Sequence, residues 1–345
     1  MKTLTIKTKQ KIYPVYIGQH ILSDTALLKK HLSSHQVLIV TNKTIASHYL
    51  EKLKQNLKAY QVESLTLPDG EQFKTLDHLK LIFDKLIEHH FKRDATLIAL
   101  GGGVIGDMTG FAASCYQRGM PFIQIPTTSL AQIDASIGGK TAVNYENKKN
   151  FIGSFYQPTC VVIDINTLDT LPKREFISGL AEVIKHAAIC DESFFTWLEK
   201  HMPDILTKQP HTLIEMLNKS AEIKANIVSE DEQETKGTRE LLNFGHTFAH
   251  AIESATDYQV YLHGEAVSIG MVMAAELSKT QGLLNDEALK RLKALLIAAT
   301  LPVALQKTID DTTLQSLMSH DKKHRANQKR FVLLNKIGNA SVSVI

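Results

Sequence analysis

The stretch Ala95–Asp107 reads ATLIALGGGVIGD, and it decides the fold of the first half of the chain. An apolar run typical of a buried strand leads into three glycines, and a helix candidate begins near Gly106. Gly101, Gly103 and Gly106 form the pattern G-x-G-x-x-G, which lets backbone N–H groups approach a pyrophosphate at a helix N-terminus. The alternative is a glycine-rich loop used for packing. The strand–loop–helix setting favours a nucleotide site, of a variant kind because no acidic ribose partner is evident about twenty residues later.

Strand and helix patterns alternate on both sides of this stretch. In chain order, strand candidates (37–40, 62–67, 121–125, 160–165) and helix candidates (45–57, 75–89) cover the first half. This alternation predicts a mostly parallel sheet covered by helices on both faces.

The pattern changes at about Pro172. Helical periodicity dominates the second half, and strand patterns return only at 331–334 and 341–345. The helix candidates are 174–189, 193–201, 213–229, 241–254, 265–281 and 286–299. We therefore predict an α/β nucleotide-binding domain at 1–168, followed by a mainly α-helical domain at 169–345.

Composition excludes several classes of protein. The 345 residues carry a net charge of only +3, which argues against nucleic-acid binding through a concentrated basic face. The N-terminus lacks the apolar core of a signal peptide, and no stretch approaches the roughly 18 apolar residues that span a membrane. The three cysteines are far apart and form no CxxC pair. We expect a cytoplasmic protein without a membrane partner, in which His and carboxylates would hold any metal.

A polar stripe marks the second half. Arg239, Asn243, His246 and His250 are spaced by four, three and four residues, which predicts one face of a single helix. Apolar neighbours suggest that this helix is buried, and a buried stripe of this kind is costly unless it meets a ligand or a metal. The alternatives are a satisfied polar network or a surface stripe. His263 opens the next helix and offers another imidazole.

A second polar group lies on the helix candidate 174–189. Glu182 and Lys185 share one face, followed by His186, and by itself this pattern is usually a surface ion pair. Two histidines and a glutamate are, however, a known ligand set for catalytic zinc with an open position for substrate. Spacing leaves open which histidines among His186, His246, His250 and His263 are ligands and which is a general base.

Basic loops are the third feature. Gly138-Gly139-Lys140 and Lys148-Lys149-Asn150 follow Thr127-Thr128, and their charge and backbone donors would suit a phosphate. A solvated loop is the alternative. The same alternative applies to the basic run at 321–325.

These motifs, taken in order along nearly the whole chain, resemble the 3-dehydroquinate synthase family. The matching segments are Asp69–Lys74 (DGEQFK), Gly101–Asp107 (GGGVIGD), Tyr116–Gly119 (YQRG), Pro126–Thr128 (PTT), Gly138–Thr141 (GGKT), Gly179–Lys185 (GLAEVIK), Leu242–Thr247 (LNFGHT) and His263–Val267 (HGEAV). One departure is the loop 231–238, which is one residue longer than the family pattern and affects the placement of Lys224.

The resemblance implies a homodimer that binds NAD and one divalent metal, zinc or cobalt, with the active site in the cleft between its domains. It makes Glu182, His246 and His263 the metal ligands and leaves His250 as a candidate acid/base group. The implied catalytic residues are Lys185, Arg239, Asn243 and His250.

The resemblance also assigns contacts to the two small molecules. The implied NAD contacts are Asp69, Gly70, Glu71, Gln72, Phe73, Lys74, Gly103, Val104, Ile105, Gly106, Asp107, Thr127, Thr128, Lys140, Lys149, Thr167, Leu168, Asp169 and Thr170. The implied substrate contacts are Arg118, Asp134, Lys140, Asn150, Lys185, Lys224, Arg239, Asn243, His250, Lys322 and Lys323. Arg118 matches a position that reaches the substrate phosphate of the neighbouring subunit.

The implied activity is that of a lyase in the shikimate pathway to chorismate and the aromatic amino acids. It converts 3-deoxy-D-arabino-heptulosonate 7-phosphate to 3-dehydroquinate and phosphate, through transient oxidation by NAD, β-elimination of phosphate, re-reduction, ring opening and an intramolecular aldol. The substrate phosphate itself would accept the proton during elimination. The alternatives are a sister cyclase that makes inosose or valiolone, a metal-dependent alcohol or glycerol dehydrogenase, and a non-catalytic nucleotide-binding protein.

Overall fold

The computed structural model describes residues 1–146, 148–305 and 330–344. The chain forms two compact units, Met1–Leu171 and Pro172–Ile345. Among the described residues, no helix has both the length and the apolar character needed to cross a membrane.

The first unit is built on a seven-stranded sheet. Its strands are β1 (Lys2–Lys7), β2 (Ile12–Gly18), β3 (Gln36–Asn42), β4 (Gln61–Leu67), β5 (Thr96–Gly101), β6 (Phe122–Pro126) and β9 (Cys160–Asp164). They are ordered β1-β2-β9-β6-β5-β3-β4, and β1 alone is antiparallel to its neighbour. The predicted mostly parallel sheet is therefore confirmed.

Helices cover this sheet on both faces. They are α1 (Thr25–Lys29), α2 (Lys43–Ile45), α3 (Glu51–Asn56), α4 (Leu76–Glu88) and α5 (Gly103–Cys115). Leu38 and Leu97 pack into a core with α4 and α5, whereas Ile39 and Ile98 pack into a separate core on the opposite face. Successive side chains of a strand point to opposite faces. A strand buried on both faces therefore reads as a continuous apolar run.

The segment treated as a basic loop contains a β-hairpin, which the sequence reading missed. β7 (Lys140–Tyr145) pairs with β8 (Lys148–Phe155) in an antiparallel two-stranded sheet. The polar residues of this hairpin are largely exposed while Ala142 and Val143 are buried. Because β8 carries few buried residues, its sequence resembles a solvated loop.

The second unit is mainly helical, as predicted. It contains α6 (Lys173–Cys190), α7 (Glu192–Leu206), α8 (Pro210–Glu230), α9 (His246–Ala255), α10 (His263–Thr280), α11 (Asp286–Ala298) and a hairpin of β10 (Arg330–Lys336) with β11 (Asn339–Val344). Helix α6 is central, since it packs against α7, α8 and α10.

The prediction of one helix at 241–254 is wrong. Thr238–Asn243 form a 3-10 helix, and α9 begins at His246 after a turn at Gly245, whose φ is 81°. Only a glycine is tolerated there, because an added Cβ would also lie 2.7 Å from the backbone N of Met271 on α10. Arg239 and Asn243 therefore lie on a different element from His246 and His250, and the predicted single stripe does not exist.

Candidate functional site

Helix α6 places a buried ion pair at the centre of the second unit. Glu182 is 0% and Lys185 1% exposed, and the Lys185 ammonium contacts Glu182 Oε2. Buried charges are stable only when they are paired. The surface ion pair considered from the sequence is therefore excluded, and a fixed carboxylate stands in the interior.

Two histidines from other helices meet this carboxylate. Glu182 Oε1 lies 3.7 Å from His246 Nε2 and 3.6 Å from His263 Nε2. One possible ligand atom from each residue lies within 4.8 Å of the others. Two imidazoles and one carboxylate suit zinc or cobalt and leave an open coordination position. The structure thus brings together the three predicted metal ligands.

The second ring nitrogen of each histidine is also anchored. His246 Nδ1 lies 3.3 Å from the Phe244 carbonyl oxygen, and His263 Nδ1 lies 3.3 Å from Glu253 Oε1. Donation from Nδ1 to an oxygen fixes the tautomer in which Nε2 faces Glu182, as in most histidine–metal sites. Glu253 is 5% exposed and did not emerge from the sequence as a site residue.

The electrostatics of the two histidines differ. Burial, and then the nearby Lys185 ammonium, hold the pKa of His246 well below its ordinary value, so its ring is neutral and able to bind a metal. Burial also opposes the charged form of His263, but its hydrogen bonds to Glu182 and Glu253 outweigh this and raise the pKa of His263 to about 10. The carboxylates of Glu182 and Glu253 therefore stabilise a positive charge at His263.

Close backbone packing sets the ligand geometry. A Cβ at Gly264, next to His263, would lie 1.8 Å from the Ser178 carbonyl oxygen on α6. The Gly264 N–H also donates to Ser178 Oγ at 3.0 Å. Ser178 precedes Glu182 by one helical turn. The start of α10 is thereby held against the turn of α6 that carries the carboxylate.

His250 and His186 lie outside the three-residue cluster. The His250 ring lies one turn beyond His246, with centroids 5.7 Å apart. The fully buried His186 shares a 2.8 Å hydrogen bond between its Nδ1 and Ser220 Oγ on α8. The position of His250 suits an acid/base group beside the metal cluster, whereas His186 is engaged with α8.

Arg239 is buried and held by its own loop. It is 2% exposed, and its Nη1 donates to the Glu232 carbonyl oxygen at 2.5 Å. Lys224, on α8, is 5% exposed, and Asn243 ends the 3-10 helix. Their contacts with a substrate remain predictions.

Asp231 organises the loop that departs from the family pattern. Its carboxylate accepts backbone N–H groups from Thr235 at 2.8 Å, Lys236 at 3.1 Å, Gly237 at 3.0 Å and Arg239 at 3.3 Å. Burial acts to raise the pKa of Asp231, but these hydrogen bonds outweigh it and hold that pKa below its ordinary value. The loop 231–238 is therefore wrapped around an ionised carboxylate that also holds the backbone of Arg239.

In the first unit, the predicted NAD contacts gather behind the carboxyl ends of parallel strands. Asp69–Lys74 follow β4, Gly103–Asp107 follow β5, Thr127 and Thr128 follow β6, and Thr167–Thr170 follow β9. Open α/β sheets bind their ligands at this edge. The strand–loop–helix setting predicted for the glycine motif is confirmed by β5 and α5.

Two details at this edge fit a dinucleotide. The residue that precedes α5 is Gly102, which has no side chain to cap the helix, so the first N–H groups of α5 can face a pyrophosphate. Thr127 Oγ1 is buried and has no hydrogen-bond partner among the residues that the structure describes. A buried hydroxyl of this kind is costly unless a ligand satisfies it.

A buried lysine connects predicted cofactor and substrate residues. Lys74 is 4% exposed, and its ammonium lies 2.5 Å from both Asp107 Oδ2 and Asn150 Oδ1. Asp69 is held in turn by Thr44, through N at 3.2 Å and Oγ1 at 3.1 Å. Lys140 and Lys149 are exposed, and Asp134 lies in the short helix Ala131–Ala135.

Arg118 lies away from this edge. Helix α5 starts at the glycine loop and runs for 13 residues, about 20 Å, before the turn that holds Arg118. The length of this helix separates Arg118 from Asn150, which Lys74 links to Asp107, whereas Lys140 lies on β7, which packs along α5. Lys322 and Lys323 lie outside the described residues.

Comparisons with known proteins agree over the whole chain. Family models described as 3-dehydroquinate synthase N-terminal and C-terminal match residues 64–178 and 179–324. The 3-dehydroquinate synthase of Coxiella burnetii (strain CbuK_Q154) is 51% identical over 345 residues, which covers 99% of this chain and 96% of that protein.

Solved structures of sugar-phosphate cyclases are similar too. A 2-epi-5-epi-valiolone synthase from Streptomyces hygroscopicus subsp. jinggangensis 5008, with NAD+ and Zn2+ bound, has a TM-score of 0.88 and 31% identity, covering 98% of this chain and 94% of that one. A 2-deoxy-scyllo-inosose synthase complexed with carbaglucose-6-phosphate, NAD+ and Co2+ has a TM-score of 0.92 at 24% identity, covering 100% and 96%, and shows the shared fold. The family models match most of the chain, and a relative is 51% identical over 99% of it; this chain therefore belongs to the 3-dehydroquinate synthase family.

Proposed function

We propose that this chain is a 3-dehydroquinate synthase. It would convert 3-deoxy-D-arabino-heptulosonate 7-phosphate to 3-dehydroquinate and phosphate, as a carbon–oxygen lyase acting on phosphates in the shikimate pathway. The observation that carries the proposal is the 51% identity to a 3-dehydroquinate synthase over 99% of the chain. The match to a valiolone synthase is weaker, at 31% identity, so a sister cyclase is the less favoured activity.

Glu182, His246 and His263 would hold zinc or cobalt, and the loops behind β4, β5, β6 and β9 would hold NAD. The metal supplies Lewis acidity at the substrate hydroxyls, and NAD supplies a reversible hydride acceptor. The anchored Nε2 atoms and the buried carboxylate support the metal assignment. In this proposal residues 1–168 bind the cofactor and residues 169–345 bind the metal and the substrate.

The other polar residues of the helical unit would bind and orient the substrate. Lys185 and Arg239 supply cationic donors for its carboxylate, because guanidinium and ammonium groups pair with carboxylates through charge-assisted hydrogen bonds. Both side chains are buried and their cations are held in place. Fixed donors lose little entropy when a substrate binds, which favours a defined orientation. Asn243 and Lys224 would complete the contacts.

His250 would exchange a proton with the substrate hydroxyls, because its ring stands one turn beyond a metal ligand. We propose that Lys140 and Asn150 hold the substrate phosphate during elimination, and that this phosphate accepts the proton that leaves the carbon. His250→Ala should then slow turnover without abolishing it. A complete loss of turnover in a variant with full metal content would instead assign the elimination proton to His250.

We further propose a cytoplasmic homodimer with no nucleic-acid or membrane partner. Cys115, Cys160 and Cys190 are free thiols, as suits a reducing compartment. Arg118 lies about a helix length from the glycine loop behind β5, at the opposite end of α5, which supports a role in the site of a second subunit. Mixing Arg118→Ala with an inactive Glu182→Gln variant tests the dimer. Recovery of activity on mixing supports a shared site, and no recovery despite subunit exchange contradicts it.

The test of the activity is phosphate release from 3-deoxy-D-arabino-heptulosonate 7-phosphate with NAD and zinc, before and after chelation. We expect chelator-sensitive release, 3-dehydroquinate as the product and no net NADH. Lack of release from this substrate, with release from another sugar phosphate, would identify a sister cyclase. Stoichiometric NADH from a simple polyol would identify a dehydrogenase.

A further inference from the structure

Asn144 lies at an irregularity of the β7–β8 hairpin. Val143 pairs with Ile152 and Tyr145 pairs with Lys148, so Asn144 stands opposite a three-residue bulge at 149–151. Bulges bend a strand and redirect side chains, and they are frequent beside active sites. Asn150 at the centre of this bulge has a φ of 50°, a left-handed conformation that asparagine adopts more readily than most residues.

The polar groups of Asn144 reach two different segments. Its Oδ1 accepts the backbone N–H of Asn150 at 2.8 Å. Its Nδ2 donates to Glu71 Oε1 at 2.9 Å, and its backbone N–H donates to the Lys74 carbonyl oxygen at 2.8 Å. One residue therefore holds the loop behind β4 and the left-handed residue of the bulge at the same time.

Lys74 closes the same network from the other side. Its ammonium donates to Asn150 Oδ1 and to Asp107 Oδ2 at the start of α5. Asn150 is thus fixed at its backbone by Asn144 and at its side chain by Lys74. A residue held at both ends in an uncommon conformation depends on its partners more than an ordinary loop residue does.

We propose that Asn144 is a positioning residue that couples the cofactor loop Asp69–Lys74 to the substrate contact Asn150. This inference rests on the proposed function, which supplies the ligands of the two segments. The hydrogen bonds from Asn144 hold Glu71 and Lys74 in the geometry that binds NAD. The Asn144 side chain also holds Asn150 in the geometry that binds the phosphate. Neither ligand needs to touch Asn144.

Two substitutions separate the two halves of this role. Asn144→Ala removes both side-chain hydrogen bonds, so it should weaken NAD binding and raise the substrate KM, each by about tenfold. Asn144→Asp keeps an acceptor for the Asn150 N–H but places a carboxylate against Glu71. It should weaken NAD binding by about tenfold or more and leave the substrate KM, at saturating NAD, within about twofold of the original value. In both variants kcat should change by less than about threefold, because binding groups are displaced and reacting groups are not.

Ser154→Ala is the matched control in the same hairpin. Ser154 Oγ donates to Ser114 Oγ on α5 at 2.8 Å, so this variant loosens the hairpin from the helix without touching either loop. We expect unchanged NAD affinity, KM and kcat. Circular dichroism and thermal unfolding of all three variants separate misfolding from a local change, and the isosteric Asn144→Asp is the second variant if Asn144→Ala does not fold.

The measurement is a direct NAD titration followed by steady-state kinetics at saturating NAD. Equal loss of both affinities in Asn144→Asp, changes below twofold in Asn144→Ala, or an equal effect of Ser154→Ala would overturn the inference. If the unsubstituted protein binds NAD but releases no phosphate from 3-deoxy-D-arabino-heptulosonate 7-phosphate, the proposed function is wrong. The NAD titration then still decides whether Asn144 positions the cofactor loop.

Discussion

The candidate metal ligands of the helical unit lie on helices α6, α9 and α10, whereas the candidate cofactor residues of the α/β unit are spread over loops behind strands, the start of α5 and the β7–β8 hairpin. Glu182 is fully buried and the side chains of His246 and His263 are 13% and 32% exposed. Lys140, Lys149 and Asn150 are exposed. Metal binding in the helical unit would thus depend on a few side chains that the fold holds in place, whereas cofactor binding in the α/β unit would depend on many weaker contacts. Single substitutions should therefore have larger effects in the helical unit.

The largest effect is expected from Glu182→Gln. The substitution removes the only carboxylate among the three candidate ligands and leaves the buried Lys185 ammonium without its partner. We expect loss of bound metal and about a thousandfold loss of turnover, with destabilisation of about 3–5 kcal/mol. Metal analysis and kinetics check this, with Glu276→Gln at an exposed ion pair on α10 as the control. Full metal content with full activity would remove Glu182 from the ligand set.

A glycine in each unit compares the two kinds of site directly. At Gly264 a Cβ would lie 1.8 Å from a backbone oxygen, whereas at Gly103 it would meet only the Ala135 Cβ at 3.5 Å. Gly264→Ala should cost about 3 kcal/mol or more and lower metal affinity about a hundredfold. Gly103→Ala should fold with its stability changed by less than about 1 kcal/mol, and its effect should be confined to NAD binding. Equal stability losses in the two variants would contradict the comparison.

Glu253→Gln tests how far the geometry of the candidate metal site depends on a residue outside the predicted metal and substrate contacts. The carboxylate anchors His263 Nδ1, and its loss should weaken metal binding about tenfold. Competition with a chromophoric chelator measures this affinity independently of turnover. Glu276→Gln, at the exposed ion pair with Lys293 on the same helix as His263, is the control. Unchanged metal affinity in Glu253→Gln would mean that helix packing alone orients the imidazole.

The smallest effect is expected at Asp231, which supports Arg239 through its loop. Because its pKa is lowered in the folded protein, its stabilising contribution is present above the ordinary value of 3.8 and is lost as pH falls through the lower folded pKa. Asp231→Asn should cost about 1–3 kcal/mol at pH 7 and flatten the loss of stability below about pH 4. Thermal unfolding between pH 7 and pH 3 checks this, with Asp84→Asn at an exposed ion pair as the control. An unchanged acid profile would contradict this role.

Much of the fold could be predicted from the sequence because its signals are local. Apolar runs such as VLIV at 37–40 report strands buried on both faces, and helical periodicity reports the second unit. The hairpin at 140–155 was missed because exposed polar residues hide a short strand pair. The break before His246 was missed because Gly245 is required by contact with α10, which spacing along one helix does not reveal.

The candidate site could be predicted in part for the same reason. Family motifs mark Glu182, His246 and His263. Glu253 and Asn144 instead act through the residues that they contact, His263 and Glu71, and these contacts are not evident from the sequence. Glu253 lies two turns beyond His246 on one helix, a spacing that could have suggested a common face. Asn144 carries no such signal, because its role depends on tertiary contacts with Glu71 and Lys74.

We propose that Glu182, His246 and His263 hold the metal, and that neither His250 nor His186 is a ligand. The most direct measurement is titration of chelator-treated protein with cobalt(II), followed by its visible absorption, for His246→Ala, His263→Ala, His250→Ala and His186→Ala. We expect one bound equivalent and an unchanged cobalt spectrum for His250→Ala and His186→Ala, and loss of tight binding for His246→Ala and His263→Ala. Retained binding in His263→Ala with loss in His250→Ala or His186→Ala would contradict it.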